Sequence, residues 1–241
     1  METFHCEFES RPRQVIISPL FDIDNDDADE QGAKMLDNFM AKYSVSSTPS
    51  PIAVCYSDIC LPHKIQQCET GSRPFLILDM DETLLHASIA PIIGDPNTIF
   101  HLYGIKYFVY LRPHMFEFLE HVSRDWEVCV FTAGVREYAN KILDFIDPCG
   151  KLIHHRLFRE HCTPVGNAYV KDLSRINRHT LRTVIIDNCP DSYLFHPDNA
   201  LPIRTWLSDP EDTELLKLIP VLDALAKVDN VTKSIRIRTS S

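Results

Sequence analysis

Three short apolar runs in this chain end in residues able to do chemistry. FLIL (75–78) leads into Asp79-Met80-Asp81-Glu82-Thr83, EVCVF (127–131) into Thr132-Ala133-Gly134, and TVII (183–186) into Asp187-Asn188. Between the last two, Tyr169-Val170 leads into Lys171-Asp172. If these runs are strands of one parallel sheet, their polar ends share a rim. That rim gathers three carboxylates, an amide, a hydroxyl and an ammonium. Asp79 and Asp81 are two apart, so on an extended strand end they face the same side. Carboxylates that close repel unless a cation or a proton separates their charges. One held by a divalent metal stays ionised and can act as a nucleophile; the other can keep a proton for a leaving group. Lys171 would clamp one phosphoryl oxygen, and Thr132 with the N–H of Ala133 another. Asp187 and Asn188 offer hard oxygen ligands, which suit magnesium. Each piece alone has a plainer account as turn, cap or surface residue. In this order, each at the end of an apolar run, they describe phosphoryl transfer through an aspartyl-phosphate that water then hydrolyses.

The elements that must position these residues are legible in part. FLIL suits a strand buried on both faces. IFHLYGIKYFVYL (99–111) reads as a hairpin about Gly104, and PHMFEFLEHV (113–122) as a helix with Pro113 at N1. VREYANKILDFI (135–146) places Val135, Ala139, Ile142, Leu143 and Ile146 on one helical face. A strand is expected near 168–170, and a last helix over 211–228 with Pro220 inside it. Strands separated by helices predict an α/β fold, with a mostly parallel sheet covered on both faces.

Composition narrows the chemistry. Of 241 residues, 44% are hydrophobic and 24% charged, which is globular. The 7 glycines are never spaced as a G-x-G-x-x-G or G-x-x-x-x-G-K phosphate cradle. A net charge of −10 argues against direct nucleic-acid binding, which runs on Lys and Arg. Phosphate must therefore be held by side chains and a metal. Residues 1–72 carry 5 basic and 12 acidic residues, six of the acids within DIDNDDADE (22–30). With the SVSSTPSP linker (44–51), they are expected to form a loosely packed arm holding one short helix near 34–42. Residues 73–230 are expected to form the folded domain and 231–241 a C-terminal tail, of which SIRIRTSS (234–241) reads as a frayed end. The 8 cysteines are scattered, and neither a leader nor an apolar run of membrane-spanning length is present. A reducing compartment is implied, nucleus or cytoplasm, with no membrane span. Cys55, Cys60, His63 and Cys68 lack a C-x-x-C pair, so no zinc site is expected in the arm.

Read as a whole, FLILDMDETLLH resembles the signature of the haloacid-dehalogenase superfamily. It is most similar to the small phosphatases of the RNA polymerase II C-terminal domain and their relatives. LRPHMFEFLEHV, VFTAG, LFREHC, NAYVKDLSRINR, VIIDNCPDSYLFHPDNALPI and ELLKLIPVLDAL extend the resemblance over about residues 73–228. It implies a Rossmann-like fold and a magnesium-dependent phosphatase of phosphorylated protein segments. Asp79 is implied as nucleophile and Asp81 as general acid, later base. Thr132, Ala133 and Lys171 are implied to bind the phosphoryl group. Magnesium is implied on the Asp79 carboxylate, the Asp81 carbonyl and Asn188, with Asp187 beside it. Arg159, Tyr138 and Ile89 fall where related enzymes meet peptide substrate. Met80 stands in place of the usual Leu. Cys189 stands at the family's small position and is read as a buried filler.

Access follows from spacing. From Asp79 to Thr132 is 53 residues and from Thr132 to Lys171 is 39, which leaves room for a small β-hairpin insertion but no large cap. An uncapped rim suits a protein segment that closes the site itself. The expected substrate is phosphoserine or phosphothreonine in an extended, proline-containing peptide. Two alternatives stand beside it: another phosphoprotein target, and an adaptor that binds phosphopeptides without turnover. Asp79→Asn removes the nucleophile with a one-atom change. Turnover should vanish while circular dichroism stays unchanged, and retained turnover would overturn the assignment.

Overall fold

The computed structural model describes residues 73–92 and 94–239. The acidic tract, the helix expected near 34–42 and the cysteines 55, 60 and 68 all lie outside the described residues. The central sheet has five parallel strands: β1 (Phe75–Leu78), β5 (Glu127–Phe131), β6 (His155–Leu157), β9 (Thr183–Asp187) and β10 (Ala200–Pro202). Their order across the sheet is β10-β9-β1-β5-β6. Phe75 pairs with both Glu127 and Thr183, and Leu78 with both Val130 and Ile186, so β1, β5 and β9 end level. The apolar runs thus converge at one rim, as their sequence predicts.

Period-two alternation divides these strands between two cores. Leu76, Leu78, Val128, Val130, Val184 and Ile186 face a large cluster. Phe75, Ile77, Cys129, Phe131 and Ile185 face a smaller one. Four helices feed the large cluster: α1 (Met115–Asp125), α2 (Arg136–Ile146), α3 (Glu214–Leu225) and α4 (Val231–Thr239). None contributes to the smaller one. That second face is covered by short turns through Leu173, Ile176 and Tyr193 and by Cys162. It also carries the hairpin of β7 (Thr163–Val165) and β8 (Ala168–Val170). The expected strand near 168–170 is therefore the second arm of a hairpin. The sheet is covered on both faces as expected, by α-helices on one and by short irregular turns on the other.

The insertion after β1 is a three-stranded antiparallel sheet of β2 (Leu85–Ser88), β3 (Thr98–Leu102) and β4 (Ile105–Leu111), ordered β2-β4-β3. Tyr103 and Gly104 join β3 to β4, both with positive φ (53° and 81°). A two-residue hairpin turn of the I′ kind needs that conformation at both positions. The hairpin about Gly104 is as expected; β2 is an addition.

Three helix boundaries differ from expectation, two of them for one reason. Arg112 is buried and grips Asp212 with two hydrogen bonds of 2.8 Å, from Nε and Nη2. Its Nη1 donates to the Thr83 carbonyl at 3.0 Å. With Arg112 fixed inward, residues 112–114 form a turn, and Pro113 lies outside α1 rather than at N1. His114 takes the N-cap at φ 63°. At the other partner, residues 209–212 form a turn whose Asp209 carbonyl accepts the Asp212 N–H at 3.4 Å and Trp206 Nε1 at 2.7 Å. The last expected helix therefore starts at Glu214, not 211. Third, where a tail is expected, residues Val231–Thr239 form a helix, α4, which buries Val231 and Ile235 in the large core.

The Arg112–Asp212 pair joins positions 100 residues apart without solvent. Asp212→Ala would strand a buried guanidinium, which costs roughly 3–5 kcal/mol. Denaturant unfolding should record a loss of that order. A loss below about 1 kcal/mol would show that the pair is not a structural tie.

Candidate active site

Every strand that ends at the rim delivers one part of the site. Asp79 leaves β1 with its N–H on the Ile186 carbonyl at 3.0 Å, which holds the end of β1 against β9. Thr132 leaves β5 with its N–H on the Leu157 carbonyl at 3.0 Å. Lys171 leaves β8 with its N–H on the Ser192 carbonyl at 2.7 Å. Asp187 ends β9 itself. Asp79, Asp81, Thr132, Lys171 and Asp187 are all buried.

Lys171 is the centre of charge. Its Nζ donates to Asp79 Oδ1 at 2.5 Å and to Asp187 Oδ2 at 2.6 Å. Burial alone would strip the ammonium of its proton; Asp187 and Asp79 outweigh that and hold Lys171 above its ordinary range. Burial pushes the Asp187 carboxyl up, and the Lys171 ammonium opposes it, so the two stand as an ion pair. The other oxygen of Asp187 accepts the Cys189 N–H at 2.8 Å. Both Asp187 oxygens are thus engaged in orienting Lys171 and the turn beyond. Cys189 is exposed, not the buried filler expected, and its backbone rather than its thiol serves the site.

Asp81 is in the opposite state. Burial first, then the Glu82 and Asp79 charges, push its carboxyl up to about 8, against hydrogen bonds from Tyr138 and Thr132 that favour its ionised form. It therefore holds a proton at neutral pH. Tyr138 donates to Asp81 Oδ1 at 2.5 Å, and the Thr132 hydroxyl lies 3.4 Å from Oδ2. The Gly134 N–H donates to Thr132 Oγ1 at 2.8 Å, and a Cβ at Gly134 would sit 3.1 Å from both that oxygen and the Tyr138 ring. A side chain at Gly134 would press on both groups that contact the acid and require one of them to give way.

The loop carrying Asp81 is fixed on several sides. Glu82 has φ 58°, the left-handed region, with its side chain 3.0 Å from His86 Nδ1. Its carbonyl accepts the Trp206 N–H at 2.9 Å. Thr83 donates to Asn188 Oδ1 at 3.3 Å, and Asn188 Nδ2 donates to Thr205 Oγ1 at 3.1 Å. The amide is thus oriented with its oxygen toward the β1 loop.

Among the described residues, no trio of His, Cys, Asp or Glu side chains converges to hold a metal. The oxygens that fit a magnesium ion are of mixed kind: the Asp79 carboxylate, the Asp81 carbonyl and Asn188 Oδ1. No hydrogen bond among the described residues reaches Asp79 Oδ2. Few carboxylates, with water and substrate completing the shell, are what magnesium prefers. Asp187, with both oxygens occupied, fits an orienting role.

The structure separates the three residues expected to meet peptide. Tyr138 is buried, its ring tilted against those of Tyr107 and Phe100, and its hydroxyl holds Asp81. Ile89 is half-buried and packs against the large core. Arg159 is at the rim: its Nε donates to the Ala133 carbonyl at 2.6 Å and its guanidinium lies 5.0 Å over the Tyr169 ring. Sequence reasoning missed Thr83, Thr205 and Trp206 as supports of the site. For Tyr138 a signal existed: its hydroxyl sits on the buried face of an amphipathic helix, where a polar atom needs a partner.

Between pH 3.8 and about 8 the folded chain keeps a proton on Asp81 that the unfolded chain releases, so this group's stabilisation is lost as pH rises through that window. Tyr138→Phe removes a bond that favours the carboxylate. In metal-free protein followed by carboxyl NMR, the Asp81 midpoint should lie near 8 and move upward in the variant. A downward shift, or none, would remove Tyr138 from this role.

Comparison with known proteins follows the same outline. The family described as NLI interacting factor-like phosphatase matches residues 74–232. A protein of Dictyostelium discoideum named "Probable C-terminal domain small phosphatase" is 46% identical over 164 residues, 65% of this chain and 52% of that one. The mouse "Carboxy-terminal domain RNA polymerase II polypeptide A small phosphatase 2" is 41% identical over 179 residues, covering 73% of this chain and 66% of that one. The zebrafish "CTD nuclear envelope phosphatase 1B" is 41% identical over 64% of this chain and 67% of its own length. The chain spans about half to two thirds of these curated relatives. The solved structure of Fcp1, titled an essential RNA polymerase II CTD phosphatase, shares the fold with a TM-score of 0.58 at 21% identity, over 68% of this chain and 69% of that one.

Proposed function

The chain belongs to the NLI interacting factor-like phosphatase family, and from that premise we propose that it is a magnesium-dependent phosphatase of phosphoserine or phosphothreonine in proteins. The observation that carries this reading is the contrast between two carboxyls two residues apart. Asp79 is ion-paired to Lys171, while Asp81 holds a proton at neutral pH. A nucleophile and a general acid are thereby set in opposite states by their surroundings.

In the proposed reaction Asp79 Oδ2 attacks phosphorus. Asp81 gives its proton to the departing serine or threonine oxygen, a poor leaving group without it. Water then attacks the phosphorus of the Asp79 acyl phosphate while Asp81, now a carboxylate, accepts the water's proton; the Asp79 oxygen–phosphorus bond breaks, which releases phosphate and restores both acids. The Lys171 ammonium offsets charge on the phosphoryl oxygens, and the Thr132 hydroxyl and Ala133 N–H bind another of them. Magnesium, held by Asp79, the Asp81 carbonyl and Asn188, would neutralise phosphoryl charge. Among the described residues no helix is long and apolar enough to cross a membrane. The names of the mouse and zebrafish relatives support a nuclear setting and the phosphorylated C-terminal domain of RNA polymerase II as substrate.

Turnover of a phosphopeptide panel, with magnesium and with a chelator, tests this. Phosphopeptides should be cleaved only with magnesium, and far faster than phosphosugars; the reverse preference would sink the reading. Asp81→Asn should slow alkyl phosphoesters by on the order of a hundredfold or more, and aryl esters much less. Equal slowing would remove the general-acid assignment.

A further inference from the structure

The oxygens that suit magnesium come from two loops: Asp79 and Asp81 from the one after β1, Asn188 from the one after β9. One short segment, residues 203–212, is bonded to both. The Ile203 N–H is on the Asp187 carbonyl at 3.2 Å, which continues the β10–β9 ladder to the rim. The Trp206 N–H is on the Glu82 carbonyl at 2.9 Å. Asp212 holds Arg112, whose Nη1 is on the Thr83 carbonyl at 3.0 Å. The segment is a strap laid from β9 to the loop after β1.

Thr205 sits on this strap between two buried anchors, Ile203 at 6% and Trp206 at 5% exposure. Its own side chain is exposed and enters neither core. A surface threonine with no packing to do is nevertheless held in place by its neighbours. Its hydroxyl accepts Asn188 Nδ2 at 3.1 Å, while the buried Thr83 hydroxyl donates to Asn188 Oδ1 at 3.3 Å. No other hydrogen bond of the Asn188 side chain occurs among the described residues. Water would satisfy an accessible amide N–H as well as a threonine does. What a fixed acceptor adds is direction. An amide whose oxygen faces a cation loses electron density from its nitrogen, and an acceptor on Nδ2 offsets that loss. Groups bonded to a metal's ligands act in this way, orienting the ligand and raising its basicity.

We propose that Thr205 is a positioning residue for magnesium: by accepting from Nδ2 it holds the Asn188 amide with its oxygen toward the β1 loop. The inference rests on the phosphatase reading above, and it concerns the affinity of the metal site rather than the chemistry at phosphorus. Thr205→Val removes the acceptor at nearly constant shape. Thr205→Ser keeps the hydroxyl and loses only the methyl, which packs in neither core.

Magnesium titrated into the full chain, followed by calorimetry, tests it. The magnesium Kd should rise about tenfold in Thr205→Val and stay within about twofold in Thr205→Ser. In metal-free protein, NMR should show the Asn188 side-chain amide protons exchanging faster with water in Thr205→Val and unchanged in Thr205→Ser. Phosphopeptide turnover by Thr205→Val should need more magnesium, with the peptide KM unmoved. Should Thr205→Val fold poorly, Thr205→Ala removes the same acceptor without adding apolar surface. A Kd within about twofold of the unaltered protein in Thr205→Val, or unchanged amide exchange, overturns the assignment. An equal loss in Thr205→Ser also overturns it, because the effect then belongs to shape and not to the hydroxyl. Magnesium affinity indifferent to Thr205, in a chain that cleaves phosphopeptides, sinks this proposal alone. Affinity that depends on Thr205, in a chain that cleaves none, sinks the phosphatase reading alone.

Discussion

An ammonium with no solvent contact must be matched by carboxylates, and the rest of the site is arranged around that requirement. Lys171 is fully buried between Asp79 and Asp187, each within 2.6 Å. Removing it would leave two buried acids facing each other; removing the acids would leave a buried base. The three come from different strands, so the pairing also fixes how the ends of β1, β8 and β9 meet. A third acid, Asp81, finds no cation in this arrangement. It stays neutral by keeping a proton, and the Tyr138 and Thr132 hydroxyls surround it. Two roles for one residue type thus follow from which acids reach the Lys171 ammonium.

A second buried pair holds the frame that makes this arrangement rigid. Arg112 joins the Thr83 carbonyl to Asp212, so the loop after β1 is tied to the turn before α3. The same turn carries Trp206, whose N–H reaches Glu82. The strained backbone at Glu82 is therefore restrained on both sides. A residue in the left-handed region persists where its surroundings over-determine it.

The parts legible in the sequence were those with a local signature. Wholly apolar runs identified β1, β5 and β9, because a strand buried on both faces has no other composition. The acids at their ends followed from the parallel order. β6 and β10 have three residues each, and β2 only four, too few for any period to show. Helix starts were displaced where a side chain had a distant engagement, as with Arg112 and Asp212, which no window of neighbouring residues contains. Tyr138 was legible as a polar atom on a buried face, but its partner was not, since Asp81 is 57 residues away. Residues 231–241 looked like a basic tail because the apolar contact seen there, through Val231 and Ile235, is spread thinly among polar residues.

The two faces of the sheet differ in how they tolerate change of length. Segments 158–176 and 190–199 are at once the cover of the smaller core and the carriers of Arg159, Lys171 and the turn beyond Asp187. Inserting or deleting residues there would open that core and displace the site together. The connection between β2 and β3 is exposed at Ala90, Pro91, Gly94, Asp95 and Asn97 and gives nothing to the smaller core. It is tied to β4 through the Ile92 N–H on Tyr110 and through Asn97, so a change of length there would bear on the insertion sheet and leave the smaller core intact. Change of length on the insertion side thereby spares the spacing of the acids and the lysine, which the segments over the smaller core hold fixed.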